Sequence, residues 1–404
     1  MNSGFLEVLR VFIKLGLTSF GGPIAHLGYF REEFVVRRRW LDDATYTDLV
    51  ALCQFLPGPA SSQVGFSIGL LRAGYTGALA AWIGFTLPSA IALVLFAYGA
   101  AALNGPLGTG LLHGLKLVAV AIVAQAVAGM ARSLCPDRPR GSIAAAAAAI
   151  ILCTASSGAQ IAVIAMGAVL GLWLCRGEAA VPAVAPTSAE PLALPVSRRV
   201  GVISLATFGL LLIGLPLARD LGADPAVALF ASFYRSGALV FGGGHVVLPL
   251  LRDAFVTPGW VSDNTFLAGY AAAQAVPGPL FTVAAYLGAV VGPPPHGLAG
   301  ASLGLIAIFL PGMLILLGTL PFWNSLRTRT GARAAMRGVN AAVVGLLAAA
   351  LYNPVWTSSV RNARDFAVAV VGFVLLTVWR TSPLWVVLLG ALAGVGLSFT
   401  ISPP

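Results

Sequence analysis

The sequence predicts an all-α polytopic membrane protein made of two inverted-topology repeats that contain broken, hairpin-forming helices. Three observations carry that expectation: the bulk composition, an internal duplication and an uneven distribution of arginine. Of the 404 residues, 58% are hydrophobic and only 9% are charged. Apolar stretches long enough to cross a hydrocarbon core of roughly 30 Å recur along the whole length and leave no segment large enough for a soluble domain. The formal net charge of +10 raises nucleic acid as a partner. The arginines, however, occupy short loops between apolar spans and not one amphipathic face, so nucleic acid is not expected. Cys53, Cys135, Cys153 and Cys175 lie in or beside apolar stretches without metal-ligand spacing and read as free thiols. The N-terminus, MNSGFLEVLRVFIKLG, carries Glu7, Arg10 and Lys14 and lacks a small-residue cleavage site, so a removed signal peptide is not expected.

The duplication is read by laying FIKLGLTSF at Phe12 on FYRSGALVF at Phe233. Gly16 then meets Gly237, Lys14 meets Arg235, and Gly21 and Gly22 meet Gly242 and Gly243. Downstream, Arg31 and Glu32 meet Arg252 and Asp253, Trp40 meets Trp260, Asp43 meets Asp263 and Gln54 meets Gln274. The Pro57-Gly58-Pro59 and Pro277-Gly278-Pro279 triplets superpose after a one-residue gap. GALAAWIGFTLPS at Gly77 matches GASLGLIAIFLPG at Gly300. The reading is a first repeat over 1–176, with two broken-helix hairpins and four membrane helices, and an alanine- and proline-rich cytoplasmic linker over 177–199. A linking membrane helix over 200–218 and a second repeat over 219–404 follow.

Arginine decides the hand. Each repeat starts with two hairpins that enter and leave on one side, then crosses four times: 75–98, 111–130, 143–154 and 159–175, then 298–320, 335–352, 366–378 and 384–399. One extra crossing between the halves makes the second start from the opposite face. Arg31, Arg37 to Arg39, Arg72, Arg132, Arg138, Arg140, Arg176, Arg198, Arg199, Arg327, Arg329, Arg333, Arg337 and Arg380 then share one face. Arg219, Arg252, Arg361 and Arg364 share the other. By the positive-inside rule the first face is cytoplasmic and the repeats are inverted, an arrangement typical of secondary transporters.

The chemistry is expected at four helix breaks, where half-helix ends offer unsatisfied N–H groups to an anion near the bilayer midplane. They are Gly21-Gly22-Pro23, Pro57-Gly58-Pro59, Gly242-Gly243-Gly244 and Pro277-Gly278-Pro279. Pro23, Pro59 and Pro279 read as first helical residues, with Ser61, Ser62 and Thr282 adding hydroxyl donors in the first turns. The competing reading is that Pro and Gly serve packing alone. Lys14 and Arg235 are equivalent cations two turns before their breaks; alternatively, Lys14 shares an interfacial polar face with Glu7 and Arg10, and Arg235 snorkels. His26 and His245 follow the Gly-Gly pairs at different offsets and read first as hydrogen-bonded structural histidines. Gln54 and Gln274 are neutral donors suited to an oxyanion or to a helix end. Asp43 and Asp263 read as N-terminal caps or dipole partners.

GFSIG at Gly65 matches the nucleophile-elbow pattern around Ser67, but that elbow needs a strand before it. Ser67 falls within a membrane helix, and no acid is evident to orient His113, so an enzyme is not expected. No nucleotide, cofactor or metal motif is present.

FGGP at Phe20, the VVRRRWLDD stretch, LPGP at Leu56 and, in the second half, FGGG, TPGWVSD and VPGP closely resemble the chromate transporter family. The resemblance covers both halves. It departs in the second copy, where FGGG stands for FGGP and Trp260 is followed by Val-Ser-Asp. It implies a multi-pass protein of the inner (plasma) membrane that exports chromate and confers chromate resistance, with sulfate as the natural analogue. The alternatives are a transporter of sulfate or another small anion and a passive anion channel. The partners implied are the anion, the bilayer and, as a candidate, a second copy of the chain.

Overall fold

A computed structural model describes residues 3–102, 106–154, 159–175, 195–222, 224–242, 244–326 and 329–401. Arg176, Gly243, Arg327 and nearly all of the expected linker lie outside the described residues. The first half contains α1 (Ser3–Thr18), α2 (Gly22–Phe30) with a π-helical continuation (Arg31–Arg37), α3 (Asp43–Phe55) and α4 (Ala60–Ala102). It ends with α5 (Pro106–Leu134), α6 (Arg138–Cys153) and α7 (Ala159–Leu174). After α8 (Arg198–Asp220) the second half repeats the order with α9 (Pro225–Ala238), α10 (Val247–Phe255), α11 (Asp263–Ala275), α12 (Val283–Val290) and α13 (Gly297–Thr319). Short α14 (Trp323–Leu326), α15 (Thr330–Ala350), short α16 (Thr357–Ser359), α17 (Ala363–Thr377) and α18 (Pro383–Ile401) complete it. No strand occurs among the described residues.

Among the described residues, five helical stretches are long and apolar enough to cross a membrane: Ala60–Gly99, Leu107–Leu134, Arg198–Asp220, Gly297–Leu326 and Thr330–Ser359. The shorter α6, α7, α17 and α18 coincide with the other expected crossings. α8 is the most weakly covered span and presents Val202, Ile203, Leu210, Ile213 and Leu217 outward.

α4 is two arms. Ala73 (φ −145°) and Gly74 (φ 65°, ψ −157°) fold a short arm back onto a long one. The arms touch so closely at Gly69 and Gly77 that a Cβ on either would meet the other's carbonyl oxygen at 2.3 Å. The second half makes the same approach with separate helices: Gly288 on α12 and Gly300 on α13 would clash at 2.1 Å. Each repeat's first helix packs on its own long arm, α1 on α4 and α9 on α13.

The helices that follow are exchanged. α5 of the first half packs against α17 and α18 of the second, and α15 of the second half packs against α6 and α7 of the first. Small residues allow the close approach: a Cβ on Gly114 would lie 2.1 Å from the Gly390 carbonyl oxygen, and one on Gly338 would lie 2.0 Å from that of Gly167. Small faces are how helices gain van der Waals contact where lipid gives no hydrophobic drive.

The helix caps correct one expectation. Asp42 and Ser262, not Asp43 and Asp263, accept the backbone N–H groups of Thr45 and Thr265. Asp43 and Asp263 occupy the first helical position, where a carboxylate complements the helix dipole. There they accept hydrogen bonds from Arg31 Nε at 2.7 Å and Arg252 Nε at 3.1 Å. The two ion pairs are repeat equivalents.

Candidate functional site

The four breaks meet in reciprocal pairs. The Gly58 N–H of the first Pro-Gly-Pro donates to the Val240 carbonyl, just before the second half's Gly-Gly break, at 2.8 Å. The Gly278 N–H of the second triplet donates to the Ser19 carbonyl, just before the first half's break, at 3.0 Å. The same alignment pairs Gly58 with Gly278 and Ser19 with Val240, so the two bonds are mates. Both glycines have positive φ, 119° and 106°, a backbone that L side chains strongly disfavour. A Cβ on Gly58 would lie 3.0 Å from Gly312 Cα, and one on Gly278 would lie 2.8 Å from Ser89 Oγ. Each triplet therefore rests against the residue that follows Pro311 or Pro88 within the other half's long arm. A Cβ on Gly244 would contact Pro23 Cγ at 3.4 Å and Leu280 at 3.9 Å, which brings the third and fourth breaks to the same place.

Local chemistry explains the chain reversals. Gly21 in the left-handed region caps α2, with Pro23 in its first turn. Pro59 stands one residue before α4, its carbonyl accepting the Gln63 N–H at 2.9 Å, and Pro279 caps the 3-10 turn Leu280–Thr282. Both prolines thus sit one place earlier than the expected first helical residue, where a missing N–H is equally harmless.

Around the crossing lies a buried polar patch, most of it from the first half. His26 is 1% exposed. Its Nε2 lies 3.2 Å from the Ser19 carbonyl and its Nδ1 lies 3.4 Å from Ser61 Oγ. A carbonyl accepts only, so Nε2 carries the proton and the Ser61 hydroxyl donates to Nδ1. Gln63 is fully buried and its Nε2 donates to the Pro57 carbonyl at 3.0 Å and the Gly312 carbonyl at 2.9 Å, tying the first triplet to the opposite half. Ser89 Oγ donates to the Thr86 carbonyl at 3.0 Å. Four polar atoms here are buried without a hydrogen-bond partner: Ser19 Oγ, Ser62 Oγ, Thr86 Oγ1 and Gln63 Oε1.

The other expected residues separate. Lys14 lies on an exposed stripe of α1 with Leu6, Arg10, Ile13 and Leu17. Its counterpart Arg235 lines a cavity of about 260 Å³ with Gln160, Arg219, Ser232, Ser236 and Asp253. Gln54 is exposed, whereas its mate Gln274 and the Tyr270 hydroxyl approach His245 Nδ1 at 3.4 and 2.9 Å. The Thr282 hydroxyl donates to the Pro279 carbonyl at 2.7 Å. Sequence reasoning missed Ser19, Gln63 and Thr86; their signal was only that each is a polar residue within one or two turns of a break or of Pro88.

Ser67 is buried, and the side chain beside its hydroxyl is the Cys53 thiol. His113 does have an orienting acid, contrary to expectation: its Nε2 lies 2.8 Å from Oδ1 of fully buried Asp365, in the other half. The Asp365 Oδ2 accepts the Arg361 N–H at 3.0 Å, and buried Lys116 donates to Asn264 Oδ1 at 2.8 Å. This cluster joins α5 to α17 and α11.

The family model described as "Chromate transporter" matches the chain twice, over residues 6–172 and 227–395. The chain belongs to the chromate transporter family. The two matched regions coincide with the two halves of the fold. Relatives within or beside this family of transporters, which are not enzymes, include a probable chromate transport protein of Synechococcus elongatus. It is 27% identical over 96% of this chain and 94% of its own length. A chromate transport protein of Pseudomonas aeruginosa is 29% identical over 85% of this chain and 79% of its own length. One of Cupriavidus metallidurans is 26% identical over 85% and 81%. No solved structure matches the chain. Family and spans together make it a multi-pass membrane protein of a chromate-transporting family.

Proposed function

We propose that the chain exports chromate from the cytoplasm across the plasma membrane and so confers chromate resistance, holding the anion where the four breaks converge. The reciprocal hydrogen bonds from Gly58 to Val240 and from Gly278 to Ser19 are the observation that carries this reading. They join the two halves through the backbone of the broken segments, where half-helix N-termini can replace the water of a tetrahedral oxyanion. Expulsion of a dianion from a cell with a negative interior gains about 4 to 5 kcal/mol per 100 mV, from roughly 2.3 per charge. Potential alone is enough to drive export, without ATP. Sulfate, a tetrahedral dianion of similar size, is the second substrate that the same donors accept.

The repeats are inverted in this proposal. Contacts fall in two groups that support it. Glu7 with Arg72, Arg337 with the Cys175 carbonyl, and Gly201 against Pro321 join residues assigned to the arginine-rich face. Tyr98 against Gly297, His113 with Asp365 and Lys116 with Asn264 join residues assigned to the other. Cysteines introduced at Arg39 and Thr257 should label from opposite sides of the membrane. Labelling from one side refutes the inversion.

Everted vesicles test the transport reading. Chromate should accumulate when the vesicle interior is made positive, and excess sulfate should compete. Equilibration without accumulation identifies a passive channel, and no chromate movement removes the substrate.

A further inference from the structure

The repeat-equivalent backbone frames the crossing symmetrically, but the side chains do not. Under the alignment, Ser19 corresponds to Val240, Gln63 to Val283, Thr86 to Phe309 and Ser89 to Gly312. Ser62 corresponds to Thr282, whose hydroxyl is already committed to the Pro279 carbonyl. The unpartnered hydroxyls of this region come from the first repeat, whereas the second contributes the His245–Tyr270 pair and the Asn340 Oδ1 that lies beside Gly242.

Within helices of this chain a serine or threonine hydroxyl ordinarily donates back to the preceding turn. Thr18 bonds the Lys14 carbonyl, Thr154 that of Ile150, Ser232 that of Ala228, Ser236 that of Ser232, Thr319 that of Ile315 and Thr377 that of Phe373. Back-bonding is the inexpensive solution for a hydroxyl within lipid. Ser19, Ser62 and Thr86 depart from it: they are 0, 3 and 1% exposed, and their oxygens have no partner. Ser358 and Ser359 share that property, but they lie away from the breaks.

The segments that carry the three hydroxyls are linked by one run of contacts. The Ser19 carbonyl receives both the Gly278 N–H and the His26 Nε2–H, and His26 leads on to Ser61, the neighbour of Ser62. Gly278 lies against Ser89 and the Phe85 carbonyl, and Ser89 bonds Thr86. Gln63 clamps the Pro57 and Gly312 carbonyls and so fixes the frame on which Ser62 is mounted. An unpartnered buried hydroxyl costs stability, so three of them around one backbone crossing require a function outside the fold.

We propose that Ser19, Ser62 and Thr86 are the hydroxyl donors of an oxyanion site whose hydroxyls all come from the first repeat. This rests on the transport reading above and adds its ligands. The site takes a tetrahedral dianion through uncharged donors. Hydroxyls exchange their hydrogen bonds for those of water at small net cost, so a dianion held by them is released more readily than one paired with Lys or Arg. The exposed position of Lys14 agrees with a site that uses no cation from α1.

The test uses purified full-length chain and everted vesicles. Ser19→Ala, Ser62→Ala and Thr86→Val should each raise the KM for chromate about ten-fold or more, as loss of one hydrogen bond to a charged group implies. Thermal stability without anion should stay level or rise, because the hydroxyl removed satisfies nothing in the fold. Ser62→Thr should restore the low KM, and Thr377→Val, which removes a hydroxyl that bonds the Phe373 carbonyl on α17, should leave KM unchanged. Sulfate should raise the Tm of the unaltered protein and fail to do so for Ser62→Ala. Unchanged KM in the three variants overturns the site, as does a loss of stability that parallels the loss of transport. If the unaltered chain moves no chromate while sulfate still raises its Tm in a Ser62-dependent way, the donor site stands and the chromate reading falls.

Discussion

Gly58→Ala perturbs the crossing at one atom. The new methyl would sit 3.0 Å from Gly312 Cα and 3.1 Å from Gln63 Nε2, and Gly312 is backbone that cannot rotate aside. The φ of 119° adds strain of about 1–3 kcal/mol for a side-chain-bearing residue. Relief of the clash separates the triplet from α13. It would stretch the Gly58 N–H bond to Val240 and the Gln63 bond to Gly312, each worth about 0.5–1.5 kcal/mol net. The sum is about 2–6 kcal/mol, enough to threaten the fold of a marginally stable protein. Gly259→Ala is the control: φ there is also positive, at 77°, and nothing lies within 4 Å of its Cβ, so only the strain applies. Thermal melts in detergent and chromate uptake by everted vesicles should be measured on both. Gly58→Ala is expected to melt well below Gly259→Ala and to lose transport. Equal melting and equal transport would refute the claim that the halves are joined through this glycine.

Further outcomes follow from the separated residues. Lys14→Gln should leave chromate transport near normal, because Lys14 lies on the outward stripe of α1, whereas Arg235→Gln should lower it, because Arg235 lines a cavity with Asp253; resistance assays on the two variants check this. Asp365→Ala removes the acceptor of the half-buried His113 imidazole and of the Arg361 N–H and leaves a gap where a buried carboxylate stood, and a stability loss of about 1–3 kcal/mol is expected by thermal melt. Ser67→Ala should keep full transport, since the side chain beside that hydroxyl is the Cys53 thiol; loss of transport in a folded variant would refute this. Asp42 is held below the ordinary carboxylate range by the Thr45 backbone N–H. Its cap is therefore present above that range and lost as pH falls through the lowered value, so Asp42→Asn should flatten the acid limb of the melting curve.

The parts of this molecule that were legible in its sequence are those that change the backbone. Gly-Gly and Pro-Gly-Pro interrupt helices whatever surrounds them, so the breaks and the duplication could be read from the residues themselves. Partnership was not legible. In a soluble protein an apolar face marks the interior, but here lipid and protein neighbours are both apolar, so hydropathy along α5 does not say that α17 and α18 cover it. His113 and Asp365 are 252 positions apart, and only the packing of one half on the other brings them together. The caps were misplaced by one residue because Asp42 and Asp43 are adjacent and either could fill the role. Ser19 and Thr86 went unnoticed because a lone hydroxyl in an apolar stretch ordinarily bonds its own helix, and only the geometry shows that these do not.

The exchange of the later helices bears on how such a chain can be made. α5 is synthesised long before α17 and α18, which cover it, and its close-packing face, with Gly110 and Gly114, must wait in the bilayer until Gly390 and Gly394 arrive near the C-terminus. Truncation after α15 would therefore strip α5 of α17 and α18 while leaving α11, α15 and every first-half residue intact. The halves are successive in the gene but assembled only together, so the last forty residues act as the fastener for a helix that the ribosome finished hundreds of residues earlier.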